Sequence, residues 1–438
     1  MRTPWRAPGP RAGLVIEVSL LALLGAAAPS SAQVRFAATS CARCHEEVGD
    51  ELAAPVKAMH ADDVHASVGL GCADCHGGDP TVVEADGLDQ DRAHAGSAGF
   101  RGRPTPAQIP DLCARCHSDA TFMHRFNPNL PTDQLARYRT STHGQRNAGG
   151  DEKVATCVSC HGAHGILRVA DPRAPVYALR VPDTCGRCHT NEVLMRPYGI
   201  RTDQLEQYRA SVHGKALYEK SDLSAPTCND CHGNHGAAPP GVASVAMICG
   251  ECHVTSRAFF QESVHKQAFD AANQPECTAC HGNHGITPAS DTFVGHEPSS
   301  WCARCHFPGD RGLAVGVELR ASLDSLATEI EAAKLTVERA SHAGMEVSGG
   351  EISLQEAHTA LIQARDATHT LEPAKVRART TAGMAAARNA TGVGRAALAE
   401  REVRRRGLAV SLVIIAIVCI ALVGVIRRLD ARAGLRET

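Results

Sequence analysis

The tightest constraint on this chain is a five-residue unit, Cys-x-x-Cys-His, that occurs nine times. The units begin at Cys41, Cys72, Cys113, Cys157, Cys185, Cys228, Cys249, Cys277 and Cys302. They take up 18 of the 19 cysteines; the remaining one, Cys419, sits in an apolar run near the C-terminus. No cysteine is left for a disulfide framework, so the usual reading of a cysteine-rich secreted chain fails. All nine units fall within residues 41–306 of a 438-residue chain. That leaves each unit too little sequence for a domain of its own, and whatever the units bind must share walls.

The chemistry of the unit follows from its spacing. Two intervening residues on a helical turn bring both thiols to one face, where they add across the two vinyl groups of a haem as thioethers. The next residue directs its imidazole at the iron. Zinc is the competing reading, because Cys-x-x-Cys pairs also hold structural zinc, but a zinc site does not require a histidine after every pair. The expectation is nine covalently bound haem c groups. They are attached at Cys41 and Cys44, Cys72 and Cys75, Cys113 and Cys116, Cys157 and Cys160, Cys185 and Cys188, Cys228 and Cys231, Cys249 and Cys252, Cys277 and Cys280, and Cys302 and Cys305. The proximal iron ligands are then His45, His76, His117, His161, His189, His232, His253, His281 and His306. Aromatic residues make up only 4% of the chain, and buried porphyrins would replace that missing apolar material. A formal net charge of −2 offers no basic field for nucleic acid.

The sixth iron position decides the chemistry of each haem. Candidates come from an internal repeat. Residues 132–144 read TDQLARYRTSTHG and residues 202–214 read TDQLEQYRASVHG, with matching Cys-x-x-Cys-His units on both sides. Each repeat holds two haem units. The first is followed by a helical segment ending in Ser/Asp-x-His, and the second carries Gly-x-His. The helical position supplies His65, His143, His213 and His265 as distal candidates, and the Gly-x-His position supplies His164, His235 and His284. His94 joins them because the non-matching first repeat needs a ligand. The ninth stays open between His60, His124, His296, His358 and His369, with His124 demoted because the repeat places Arg196 there. Met345 lies beside a turn and reads as packing, as do Tyr138 and Tyr208.

Both ends carry membrane signals. Residues 1–32 have Arg2, Arg6 and Arg11, an apolar stretch, and a small-residue cleavage site before Gln33, the pattern of a secretory signal peptide. Leu408–Ile426 is 19 residues without a charge, long enough to span a bilayer. Haem is attached outside the cytoplasm, so the haem region is expected on the periplasmic side of the inner membrane, with a single pass and a cytoplasmic C-terminus. The expected fold class is mainly α with extensive irregular loops. A nonahaem domain over residues 33–311 precedes a helical hairpin or bundle over 312–406, a transmembrane helix over 407–427 and a tail over 428–438. Leu319, Leu323, Leu326, Ile330 and Val337 recur at helical spacing and mark the first bundle helix. The bundle serves either as a spacer or as a docking or dimerising surface.

The units Cys-x-x-Cys-His-Gly-x-His-Gly at Cys157, Cys228 and Cys277, with Ser-x-His upstream, resemble the cytochrome c3-like, doubled Cys-x-x-Cys-His group of multihaem cytochromes. The likeness covers about residues 41–306, and the C-terminal helices look like those of membrane-tethered members. It implies electron transfer through mostly bis-histidine haems. One departure is that familiar quinol-oxidising members are anchored at the N-terminus. The expected function is an electron carrier with no catalytic residue. Its expected partners are the membrane, a polytopic quinone-linked membrane subunit and soluble periplasmic cytochromes. The alternative is an oxidoreductase of the nitrite, hydroxylamine or tetrathionate type, which needs one haem with an open iron.

Overall fold

The helices of this chain are short where cysteine motifs and glycines crowd the sequence, and long where those motifs stop. A computed structural model describes residues 39–60, 62–82, 89–237 and 245–434; the proposed signal peptide lies outside them. Among the described residues there are α-helices, 3-10 turns and irregular loops, and no strand. The chain divides into two units. One comprises residues up to 132 with 155–175, and the other 133–154 with 176 onward.

Before residue 307 few side chains are buried. The sizeable apolar ones are Val56, Val82, Met195, Tyr208 and Leu217; the others are alanines, Pro110 and Pro182, and polar residues such as Asp63, Ser141 and Ser211. Two small clusters form, around Ala42 and Val56 and around Tyr208, Leu217 and Ala225.

After residue 310 the second unit changes character. Three helices follow, Arg311–His342, Ser348–Ala367 and Pro373–Gly434. In the first, Leu319, Leu323, Leu326, Ile330, Ala333, Val337 and Ala340 are buried, with spacings that alternate four and three. This heptad spacing keeps one seam facing its partners. The second helix adds Ala357, Leu361 and Ala364, and the third adds Val376, Ala387, Ala390 and Ala397. Met345 packs against this core, as its sequence position suggests. Alanine on the third helix allows close packing, and Gly383 allows the closest. A Cβ there would lie 2.7 Å from Leu326 Cδ2 on the first helix and 2.9 Å from Ala360 Cβ on the second. Leu326 is fully buried beneath it, so Leu326→Ala is expected to cost about 3 kcal/mol through lost contact and a residual cavity. Urea unfolding followed by far-UV circular dichroism of the bundle checks this; an unchanged midpoint would contradict it.

The third helix runs unbroken from Pro373 through the apolar segment. Its apolar side chains from Leu408 to Leu429 are exposed all round. By length and composition it is able to cross a membrane.

Candidate haem centres

Each Cys-x-x-Cys-His unit has local reasons to form a turn. At Cys72–His76, Cys157–His161 and Cys228–His232 the turn begins at the first cysteine. The third residue of each turn caps it. Asp74 Oδ2 accepts from Gly71 N at 2.7 Å, Ser159 Oγ from Thr156 N at 3.0 Å, and Asp230 Oδ2 from Thr227 N at 2.7 Å. The glycine after the histidine ends it: Gly77, Gly162, Gly233 and Gly282 have φ between 70° and 86°, a region that favours glycine. The units at Cys113 and Cys185 instead end longer helices, Ile109–His117 and Val181–His189, with Pro110 and Pro182 in the first turn.

The segment expected as one helix ending in Ser-x-His is two helices. Gln134–Thr140 stops at Ser141, which is extended at φ −70° and ψ 159°, and Thr142–Ala148 starts there. The hydroxyl is the physical reason. Ser141 Oγ donates to Tyr138 O at 2.6 Å, closing the first helix, and accepts from Gly144 N at 2.9 Å, opening the second. Ser211 does the same between Tyr208 O and Gly214 N, at 2.6 and 3.1 Å. The histidine therefore sits in the first turn of the new helix, held by a buried cap. Asp63 plays this part for His65, accepting from His65 N at 2.7 Å.

A second bond recurs with the repeat. The residue after the cap donates its N–H to the carbonyl two residues beyond the Gly-x-His histidine. The pairs are Val64 with Ile166 at 2.8 Å, Thr142 with Ala237 at 3.0 Å and Val212 with Ile286 at 2.8 Å. Each helical histidine is thus tied to a loop histidine, namely His65 to His164, His143 to His235 and His213 to His284.

The histidines then meet in pairs, always one from a motif and one from outside. In the first unit His45 faces His94, with ring centroids 6.2 Å apart, His117 faces His65 at 6.0 Å, and His76 faces His164 at 6.2 Å. In the second unit His189 faces His143 at 6.2 Å, His253 faces His213 at 6.4 Å and His232 faces His284 at 5.9 Å. His306 faces His265 at 5.9 Å, and His281 faces His369 at 6.1 Å. His161 ends its motif turn, and His235 lies half-buried near Asp133 and Arg137.

This separation is a test of fit. Rings in stacking contact sit closer. Two imidazoles bound to one metal, each at about 2 Å from nitrogen to metal with the centroid roughly another ångström beyond, lie roughly 6 Å apart. The interplanar angles run from 9° to 90°, as expected when each ring turns freely about its metal–nitrogen axis. Among the described residues no group of three or more His, Cys, Asp or Glu side chains converges as a zinc site would.

Electrostatics agree with the geometry. Burial lowers the pKa of His45, His143, His164, His189, His213, His235, His265 and His284, and pushes His281 down to about 4. In most of these pairs the neighbouring imidazole adds to the effect. A neutral ring is the form that ligates metal. Where Nδ1 has a partner, Nε2 is left to face the gap: His76 Nδ1 meets Gly102 O at 3.0 Å, and His306 Nδ1 meets Asp310 Oδ2 at 2.6 Å.

Successive motifs also adjoin one another. In the first unit Cys41 neighbours Cys72, Cys75 neighbours Cys116, and Cys113 neighbours Cys157. In the second, Cys185 neighbours Cys228, Cys231 neighbours Cys249, Cys249 neighbours Cys277, and Cys280 neighbours Cys302.

The other sequence candidates go elsewhere. His124 Nε2 meets Leu130 O at 3.2 Å, His358 Nδ1 meets Leu354 O of its own helix at 2.8 Å, and exposed His296 lies beside Glu297. His60 lies 3.5 Å from Glu46. His369 is the residue that sequence reasoning left unresolved. Its signal lay in the count of ligands still needed, not in its surroundings.

Residues 64–190 match the family model described as cytochrome c3, and residues 248–327 match that of cytochrome c554 and c-prime. The chain is 26% identical over 220 residues to the C-type polyheme cytochrome OmcC of Geobacter sulfurreducens, a match covering 44% of this chain and 26% of that protein. The chain thus spans about a quarter of the length of the curated relative it matches. No solved structure matches it. Motif turns that set paired thiols on one face, imidazole pairs spaced for an iron between them, and two cytochrome family models over separate stretches lead to one assignment: the chain is a multihaem c-type cytochrome with cytochrome c3-like segments.

Proposed function

We propose that the chain carries nine covalent haems on the periplasmic side of the inner membrane and passes electrons along them. The donor would be a redox partner in that membrane, such as a polytopic quinone-linked subunit, and the acceptors soluble periplasmic cytochromes. The C-terminal helix anchors it in a single pass with its end in the cytoplasm. The bundle over residues 312–406 is a further surface for such partners or for a second copy. When bound, haem iron supplies the one-electron couple; the chain supplies order, axial ligands and spacing.

One observation carries this reading. Eight of the nine motif histidines face a second imidazole at the separation of a shared metal, and the motifs adjoin in sequence order within each unit. Two imidazoles close an iron to substrate and favour a lower potential than a His/Met pair. That favours a carrier over an oxidoreductase, which needs an open iron. The distal ligands proposed from the repeat are His65, His143, His164, His213, His235, His265 and His284, with His94 added for the non-matching first copy.

The mass of the mature protein should exceed its polypeptide mass by nine haems, and electron paramagnetic resonance of the oxidised protein should show low-spin ferric iron throughout. His213→Ala should turn about one ninth of the iron high-spin without loss of covalent haem, because His253 then faces no imidazole. A substantial high-spin fraction in the unaltered protein would favour the oxidoreductase. A colourless mature protein would end the reading altogether.

A further inference from the structure

The repeat has a supply pattern that runs out at its last even-numbered motif. Two even-numbered motif histidines face the Gly-x-His histidine that follows the motif two further on: His76 faces His164, and His232 faces His284. His281 belongs to the last even-numbered motif. One motif follows it, at Cys302, and that motif reads Cys-Ala-Arg-Cys-His-Phe, with no Gly-x-His behind it. The haem region therefore contains no residue at the position that should complete His281.

The structure fills that position from the bundle. Between the second and third bundle helices lies a short tip, Thr368–Thr370, followed by Leu371 at φ 56°. His369 on this tip faces His281 at 6.1 Å and 23°, within the range of the other pairs. Its Nδ1 lies 2.8 Å from Asp366 O, so Nδ1–H donates to the carbonyl and Nε2 carries the free lone pair. Asp366 is itself held by Ser256 Oγ, from the helix that follows His253.

The tip is anchored where an iron ligand needs rigidity. Arg365 makes two bonds to Asp291, at 2.8 and 2.9 Å, and Lys375 lies 3.4 Å from Glu262. Asp291 opens a short turn ending in Phe293, which stacks on Trp301 at 3.8 Å. Trp301 stands edge-on to His281 at 4.5 Å. Both members of the pair are thus braced by one cluster of contacts. Phe259 and Val294 from the haem region complete it by packing against the bundle core.

We infer that His369 is the second axial ligand of the haem attached at Cys277 and Cys280. The helix that enters the membrane is then joined to the haem chain through an iron bond as well as through side chains. This rests on the bis-histidine reading above and deepens it. It makes the axial state of one haem depend on the docking of the membrane-anchored bundle.

The test uses full-length holoprotein with its haem content fixed by mass. His369→Ala should convert about one ninth of the ferric iron from low to high spin, and added imidazole should restore it. His369→Met should leave one haem titrating at a higher potential than in the unaltered protein, as a His/Met pair does. His358→Ala, about three turns back on the helix that leads into the tip, should change neither. If every haem stays low-spin in His369→Ala and no potential moves in His369→Met, the inference is overturned while the bis-histidine reading stands. If His369→Ala does not accumulate, His369→Met decides alone by the same criterion. High-spin iron already present in the unaltered protein would instead count against the parent reading.

Discussion

Made without haem attachment, the chain is expected to split in behaviour: residues 39–306 lose stable tertiary structure while the helices from Arg311 to Ala397 stay formed. The buried members of the bundle's apolar core all lie between Leu319 and Ala397. Before residue 307, among the described residues, Leu217 is the one fully buried large aliphatic side chain, and the other fully buried ones are small or polar. Two small clusters bury too little apolar surface to offset the conformational entropy lost in ordering that stretch. Each porphyrin would bury an apolar area a few times that of a small aromatic side chain, which supplies the missing core. Replacing the cysteines with serine in all nine motifs, or expression without a maturation system, supplies the test. Hydrogen exchange should show protection collapsing before residue 307 and persisting in the bundle. Equal protection in both regions would show that the haem region folds on its own contacts, and the haem-built core would have to be abandoned.

The same contrast explains what could be read from the sequence. Cysteine spacing is local, so the motifs, their turns and their proximal histidines stand plainly in the letters. The helical and Gly-x-His positions were legible because the repeat writes them more than once. The pairing was not, because it is made in space. His164 faces a histidine two motifs earlier, and nothing near His76 names it. The break at Ser141 was missed for a different reason. The segment reads as continuous helix, and only the hydroxyl, serving both helix ends at once, divides it. His369 was hardest, since it stands beyond the last motif in a module whose own pattern concerns helix packing. Arg365, Asp366 and Lys375, which fix the tip around it, read in sequence as ordinary surface charges.

Asp63→Ala should cost two axial ligands with one substitution, one more than removing either histidine. Asp63 is 2% exposed and occupies the capping position that serine holds in the later repeats. Its Oδ1 accepts from His65 N at 2.7 Å and Ala66 N at 3.3 Å, and lies 3.4 Å from His65 Nδ1. Its Oδ2 accepts from Ile166 N at 2.8 Å, two residues past His164. One carboxylate therefore sets the helix that presents His65 to His117 and the loop that presents His164 to His76. Alanine leaves these N–H groups without their acceptor, at about 1–3 kcal/mol for a buried donor, and frees both elements. The expected result is two high-spin haems per molecule with covalent haem unchanged, against one for His65→Ala. Asp63→Asn, which keeps an acceptor oxygen but not the charge, should fall between. Acid should act in the same direction. Burial alone would raise the Asp63 carboxyl, but the His65 imidazole and the backbone N–H groups outweigh it and hold the pKa below the ordinary aspartate value. A depressed folded pKa contributes stability fully above the unfolded value of about 3.9 and loses it as pH falls through the folded one. Low-spin signal from these two haems should therefore fade below that range in the unaltered protein, and no such step should remain in Asp63→Ala. A spin count in Asp63→Ala equal to that of the unaltered protein would show that the two ligands are positioned independently of this residue.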